Sequence, residues 1–359
     1  MDCKTCGKTI IETEVKRALK SGEVKTRDIS LICKNSIEIP VQYWQAYNKV
    51  TSLAFSPDSK ILASVSDTAI ELWNVSGREP SLQQVKTFRD NEIIKSISFS
   101  NDGQKLVTLH SFDETIKLWD ANDIKNEKAT VSESGAYSVV FSPDDKTIVS
   151  GNYSGDIQIW EVEDAKLVVN VDKTIEAHTE AISCLKFSHD GRMLASRCID
   201  GEVKVWNMSD NPPTLKFHVP RYGPKVFKNF VDFSEDDIYI IFDNSDAFVY
   251  MYDIETKQRI TVKENKWEEG ALREVRSLAF SPDDKLIVSA HIKKLRNTKL
   301  PTASMVDFWK WDKKELMWTI ISPSPVTCVI FSPDEEYMAI SHENSEIGLC
   351  KRNLNIKIF

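Results

Sequence analysis

Six histidines could supply a general base or a metal ligand: His110, His178, His189, His218, His291 and His342. They stand far apart, and no HExxH, GxSxG or glycine-rich phosphate loop accompanies them. Paired carboxylates could divide acid and base roles between them. The pairs Asp144-Asp145, Asp236-Asp237 and Asp283-Asp284, however, occupy one position of a repeated phrase, which predicts solvated turn residues. Cys3 and Cys6, in "CKTC", have the spacing of half a zinc site, and Cys33 could be a third ligand. Tetrahedral zinc takes four ligands, and no fourth Cys or His stands nearby. Three readings stay open for this pair: exposed thiols, zinc shared with a partner or a second copy, and a redox pair. "CGKT" at 6–9 ends like a phosphate loop, but Asp2 stands where that loop needs glycine. No cofactor is expected.

The elements that would position such groups come from a repeat. "FSPDDK" stands at 141–146 and again at 280–285, with "FSPDSK", "FSNDGQ", "FSHDGR", "FSEDDI" and "FSPDEE" elsewhere. The phenylalanines Phe55, Phe99, Phe141, Phe187, Phe233, Phe280 and Phe331 recur about every 46 residues. An alternating run such as "VTSLAF" precedes each phrase, and a second run such as "ILASVS" follows it. β-Branched residues at period two predict strands, and Ser-Pro-Asp predicts a hairpin between them. A third strand carries Trp73, Trp119, Trp160, Trp206, Tyr252, Trp309 and Cys350 in one column. A weaker fourth strand follows most units. Cys184 and Cys328 share a small position of the first strand with Ser52 and Ser96, which predicts packing rather than reactivity.

Seven units of four antiparallel strands predict an all-β fold. A small sheet can bury both faces by packing radially against its neighbours, in a ring that leaves only short edges. His178, Phe187-Ser-His-Asp-Gly, Leu194-Ala-Ser196, Asp200-Gly and Val205-Trp206-Asn207 together resemble a WD repeat. The resemblance covers about residues 37–359. It implies a seven-bladed WD-repeat β-propeller. It also implies a hydrogen-bonded set of His178, Ser196, Asp200 and Trp206 in the fourth repeat. Thr108, Asp113 and Trp119 match in part in the second. The other repeats lack the histidine, and Cys350 replaces Trp in the seventh, so individual blades are expected to be weaker. The last blade's outer strand could come from "IEIPVQYW" (37–44) or from "NIKIF" (355–359). The first is favoured, because the family commonly closes that way. His110, His291 and His342 end second strands and would approach one rim of the channel. Three histidines could hold a metal, but the second and sixth blades are far apart round the ring, and single channel-facing histidines are common.

Residues 1–36 do not repeat. A capping box at Thr9–Glu12, then Ile11, Val15 and Leu19 on one face, predicts a short helix at about 10–21. The first twenty residues show no basic start followed by a long apolar run, and no stretch reaches the roughly 18 apolar residues of a spanning helix. Reduced thiols in the cytoplasm or nucleus are therefore expected. A net charge of −8 and a pI near 5.5 argue against a generic nucleic-acid binder.

One unit departs from the rest. The sixth inserts "HIKKLRNTKLPTAS" (291–304) between its second and third strands. Lys293, Lys294, Arg296 and Lys299 make it basic, and in the family this turn opens on the partner-binding top face. Trp44, Tyr47, Phe112, Tyr153 and Arg197 are expected on the same rim, where aromatics and arginine anchor partners. A tolerated surface insertion, and burial of some of these rings, are the plainer readings. The expected function is a non-catalytic scaffold binding protein or peptide partners on the top face, within a multiprotein complex. The alternatives are a propeller enzyme, a hydrolase or lyase with channel-facing groups, and an RNA-associated scaffold using the basic loop. The turn after Trp119-Asp120 carries Ala121 and Asn122, not the arginine of ubiquitin-ligase receptors in the family.

Overall fold

The computed structural model describes residues 41–88, 93–112, 114–133, 135–163, 166–169, 174–220, 230–243, 249–261, 272–294, 303–313, 315–322 and 324–351. The N-terminal helix, Cys3, Cys6 and Cys33 lie outside them. Among the described residues there are strands and no α-helix, so none is long and apolar enough to cross a membrane.

Seven antiparallel sheets form the seven blades. Blade one is β2–β5 (Val50–Phe55, Ile61–Ser66, Ala69–Asn74, Ser81–Thr87), and blade two is β6–β9 (Ile94–Phe99, Lys105–His110, Thr115–Asp120, Asp123–Ser132). Blade three is β10–β13 (Ala136–Phe141, Thr147–Asn152, Asp156–Glu163, Lys166–Val169), with β14 (Ile175–Glu176) added to β12. Blade four is β15–β18 (Ile182–Phe187, Met193–Cys198, Val203–Asn207, Thr214–Val219). Blade five is β19–β22 (Val231–Phe233, Tyr239–Asp243, Val249–Asp253, Arg259–Thr261). Blade six is β23–β26 (Leu272–Phe280, Leu286–Lys294, Ala303–Lys310, Glu315–Ser322). Blade seven joins β27–β29 (Val326–Phe331, Tyr337–His342, Glu346–Lys351) to β1 (Val41–Gln45). β1 runs antiparallel to β29, with Val41 opposite Cys350 and Gln45 opposite Glu346, so the N-terminal segment closes the ring. The first strands of successive blades touch one another, and β27 touches β2, which makes the circle continuous. The core lies between blades, in seven apolar clusters.

The repeated hairpin is held the same way in every blade. The serine hydroxyl donates to the aspartate two residues on: Ser56 to Asp58, Ser100 to Asp102, Ser142 to Asp144, Ser234 to Asp236, Ser281 to Asp283 and Ser332 to Asp334 at 2.6 Å, Ser188 to Asp190 at 2.8 Å. The next residue takes positive φ: Ser59, Gly103, Asp145, Gly191, Asp237, Asp284 and Glu335, between 52° and 72°.

The acidic pairs are more than solvated turn residues. The first carboxylate caps its own turn; the second grips the preceding blade. Asp237 accepts from the amides of His189 (2.8 Å) and Asp190 (2.9 Å), and Asp284 from those of Glu235 (2.8 Å) and Asp236 (3.1 Å). Asp145 likewise accepts from Asn101 and Asp102. In these three gripped turns the second residue carries an N–H. The other four have Pro57, Pro143, Pro282 and Pro333 there, and the facing residue of the next blade is Gly103, Gly191, Glu335 or Ser59, never Asp; Ser59 still accepts from the Asp334 amide at 3.0 Å. A proline ring offers no donor, and a glycine leaves room for it. A Cβ on Gly191 would stand 3.4 Å from Pro143 Cδ. Asp237→Ala should therefore cost about 1.5–3 kcal/mol, two charge-assisted bonds lost to exposed amides. His189→Pro with Asp237→Gly should recover part of that in urea unfolding, since it reproduces the other pairing.

A second covariation explains the missing tryptophans. The indole N–H donates to a Ser or Thr on the second strand in five blades: Trp73 to Ser64 (2.9 Å), Trp119 to Thr108 (2.8 Å), Trp160 to Ser150 (2.7 Å), Trp206 to Ser196 (2.9 Å) and Trp309 to Ser289 (3.3 Å). Blade five replaces both members, and Phe242 stacks on Tyr252 at 5.6 Å. Blade seven also replaces both, with Ile340 and Cys350 buried in one cluster. Removing a bonded pair together leaves nothing unsatisfied, so these blades escape the penalty the single changes would carry.

Candidate functional site

Four strands in series place consecutive turns at opposite ends of a blade. The repeated hairpins therefore share one face. The second-to-third turns and the blade-to-blade connections share the other, here the upper face. Three large rings stand in solvent there: Tyr47 (63% exposed) in the β1–β2 connection, Phe112 (71%) in the β7–β8 turn and Tyr153 (65%) in the β11–β12 turn. Gly135, at φ +70°, makes room for Tyr153, because a Cβ there would lie 2.8 Å from the Tyr153 Cβ.

Two of the other expected rim residues, Arg197 and Trp44, are covered. Arg197 is fully buried, its guanidinium 3.4 Å from Asp243 and over the Phe242 ring at 5.5 Å. It fastens blade four to blade five and is not a rim anchor. It sits near the upper end of β16, where the next blade covers it. Trp44 is half-buried on β1 and packs on Trp73 at 5.6 Å. It seals the closing strand. Lys293 and Lys294 end β24, their backbone paired with Arg273 and Leu272. The basic insertion thus begins as an extension of three strands, and Arg296 and Lys299 lie outside the described residues.

The chain positions a further ring of residues that the repeat alignment passes over. The first strand carries a register shift between Val50 and Ser52, Ile94 and Ser96, Ala136 and Ser138, Ile182 and Cys184, Val275 and Ser277, and Val326 and Cys328. A bulge re-aims the extra residue. Those residues are Thr51, Lys95, Tyr137, Ser183, Arg276 and Thr327, at the upper ends of the innermost strands. Thr51, Ser183 and Thr327 are satisfied by hydrogen bonds within the ring. Arg276 reaches Glu343, which also pairs with Lys49 at 3.2 Å. The Lys95 ammonium lies 3.8 Å from the centroid of Tyr137, and Tyr137 lies 6.2 Å from Tyr153. The signal was present in sequence as a break in alternation before each small residue, in "IKSISF" and "AYSVVF".

Inside blade four, Trp206 donates to Ser196, Ser196 lies 2.8 Å from His178 Nε2, and His178 Nδ1 lies 2.6 Å from Glu202. The carboxylate of this relay is Glu202, not Asp200. Asp200 instead accepts from the Glu202 amide and from Cys198, two residues on either side, so its side chain folds into its own turn. The His178 hydrogen bond, helped by Lys204, holds Glu202 down to about 2. Burial keeps His178 below the ordinary imidazole range, so Nδ1–H donates and Nε2 accepts. Asp113 of the second repeat lies outside the described residues.

The other blades fill the His178 position differently. The His178 amide donates to the carbonyl of Gly155, and the same bond is made by Ala46 to Ser345, Phe88 to Thr68 and Glu133 to Glu114. Where alanine stands, Glu71 Oε2 reaches Ser64 at 3.3 Å; where phenylalanine stands, His110 Nε2 reaches Thr108 at 2.9 Å. In blade three Glu133 itself is buried beside Ser150 and Trp160, and burial pushes it up to about 7. His291 lies 3.5 Å from Asp307, and His342 Nδ1 lies 3.3 Å from the carbonyl of Glu346. Among the described residues, no group of His, Cys, Asp and Glu could hold a metal.

Residues 39–74, 82–120, 127–161 and 170–207 match the WD40 family model, described as "WD domain, G-beta repeat". These spans fall on blades one to four and the closing strand. A guanine nucleotide-binding protein subunit beta of Oryza sativa subsp. japonica is 28% identical over 174 residues, 44% of this chain and 43% of that protein. Protein groucho of Drosophila melanogaster is 24% identical over 166 residues, 45% of this chain and 22% of that protein. Autophagy-related protein 16 of Arabidopsis thaliana is 22% identical over 256 residues, 69% of this chain and 47% of that protein. The chain thus spans less than half the length of each of these relatives.

Proposed function

We propose that this seven-bladed propeller of WD repeats is a non-catalytic scaffold that binds protein or peptide partners on its upper face. The observation that carries the reading is the exposure of Tyr47, Phe112 and Tyr153 on that face. Large rings in water are unfavourable, and aromatic side chains are typical anchors of protein contacts. A matched relative is by its name a subunit of a guanine nucleotide-binding protein, which supports a role within an assembly. Cys184 and Cys350 are thiols rather than disulfides, which favours a reducing compartment, the cytoplasm or nucleus. The basic stretch Lys293, Lys294, Arg296 and Lys299 is a second contact for the same partners, able to steer acidic ones.

Affinity capture of the full chain from its host, followed by mass spectrometry, tests this. The wild type should retain a stoichiometric protein. Serine at Tyr47, Phe112 and Tyr153 should lose it with the unfolding midpoint unchanged, and serine at the four basic positions should weaken it. Turnover by the purified chain, or RNA capture with a steep salt dependence, would overturn the reading, as would a partner indifferent to both variants.

A further inference from the structure

Lys95 combines features that no other described lysine shows. It occupies the bulge of β6, half-buried between blades two and three, with its ammonium on the Tyr137 ring at 3.8 Å. It forms no ion pair among the described residues; Glu114 acts on it only at longer range. Burial lowers its affinity for its proton, so an added negative charge beside it would be favourable. The surroundings are apolar and exposed. Tyr153 stands 6.2 Å from Tyr137, and the Phe112 turn is tied to exposed Ile93 through the Ser111 amide and the Ile93 carbonyl, 2.9 Å apart.

We infer that the upper face of blades two and three is a docking site for a segment of a partner protein that presents one carboxylate beside a large apolar side chain. The carboxylate pairs with Lys95, and the apolar side chain lies against Phe112, Tyr137 and Tyr153. The inference rests on the scaffold reading above and narrows its partner. A single ammonium without an arginine fork matches one negative charge better than a phosphate group. The Tyr137 face is already taken by Lys95, so the site does not suit a cationic ligand. One lysine in a chain of net charge −8 does not make a track for a nucleic-acid backbone.

The test is a selection of phage-displayed random dodecapeptides on the immobilised full chain, run in parallel on Lys95→Glu. Wild type should enrich peptides with Asp or Glu next to Phe, Trp or Leu. Their affinity should fall about ten-fold or more with Lys95→Gln, Tyr153→Ala or Phe112→Ala, with unfolding midpoints retained. Lys95→Glu should enrich Lys or Arg at the acidic position instead, a reversal that a purely structural lysine would not produce. The inference is overturned by no consensus, by a consensus indifferent to these variants, or by oligothymidine binding in place of peptides, which would make the rings a base-stacking platform. A host partner retained by all these variants would remove this site and leave the scaffold reading standing. Absence of any host partner would remove that reading as well.

Discussion

Trp206→Ala lowers the unfolding free energy by about 3–5 kcal/mol, the range for removing a large buried ring from a core. Trp206 is 7% exposed and belongs to the cluster between blades three and four, with Val149, Ile159, Leu185 and Leu194. Its loss also takes the indole donor from Ser196, at the head of the relay through His178 to Glu202. Trp206→Phe should cost less, since it keeps most of the apolar contact and loses mainly the bond. Urea unfolding of the two variants separates packing from hydrogen bonding. A wild-type midpoint for Trp206→Ala would show that blade four is not packed through this residue.

Glu133→Gln stabilises the protein at pH 8 and leaves it nearly unchanged at pH 4. The folded carboxyl sits at about 7, raised from 4.5 by burial. A group raised on folding favours the native state fully below its unfolded value, and that advantage is lost as pH rises through its folded value. The window therefore opens near 4.5 and closes just above 7, and the loss across it is about 3 kcal/mol. His178 and His342 are held below the imidazole value by burial and act in the opposite sense, losing stability as pH falls from about 6.5 towards their lower folded values. Subtracting the variant's pH profile from that of the wild type isolates Glu133. Parallel profiles would mean that the blade-three carboxyl does not titrate in this window.

The prediction exposes how the histidine position works. The buried hydroxyl that accepts from tryptophan needs an acceptor for its own proton. Imidazole supplies it in blade four, and His110 supplies it from the end of β7 in blade two. In blade three the Glu133 carboxyl is buried beside the hydroxyl, with neither of its oxygens hydrogen-bonded among the described residues. In blades one and two, which lack the histidine at that position, Glu71 and His110 reach the same hydroxyl. Alignment could not see this, since Glu71 and His110 come from different columns of the repeat.

Repetition by itself determined the architecture. Seven copies of a strand, a serine–aspartate hairpin and a second strand admit few closed arrangements, because each small sheet must bury both faces against a neighbour. The hairpins and the tryptophan column could be placed from spacing, whereas Tyr47, Phe112 and Tyr153 were expected on the rim only through the family resemblance, together with Trp44 and Arg197, which are covered. Even the grip between blades was written in the chain, as Asp opposite a turn with a free amide and another residue opposite proline. It goes unread until one knows which turns face each other. Tertiary structure alone decided which residues at one end of a strand are covered. Arg197 and Lys95 lie on the same side of their blades, yet Asp243 and Phe242 close over the first, while the second keeps its ammonium on Tyr137 without a carboxylate. Burial on a blade depends on the neighbouring blade's side chains, about 46 residues away in sequence. Periodicity within one repeat carries no information about that contact.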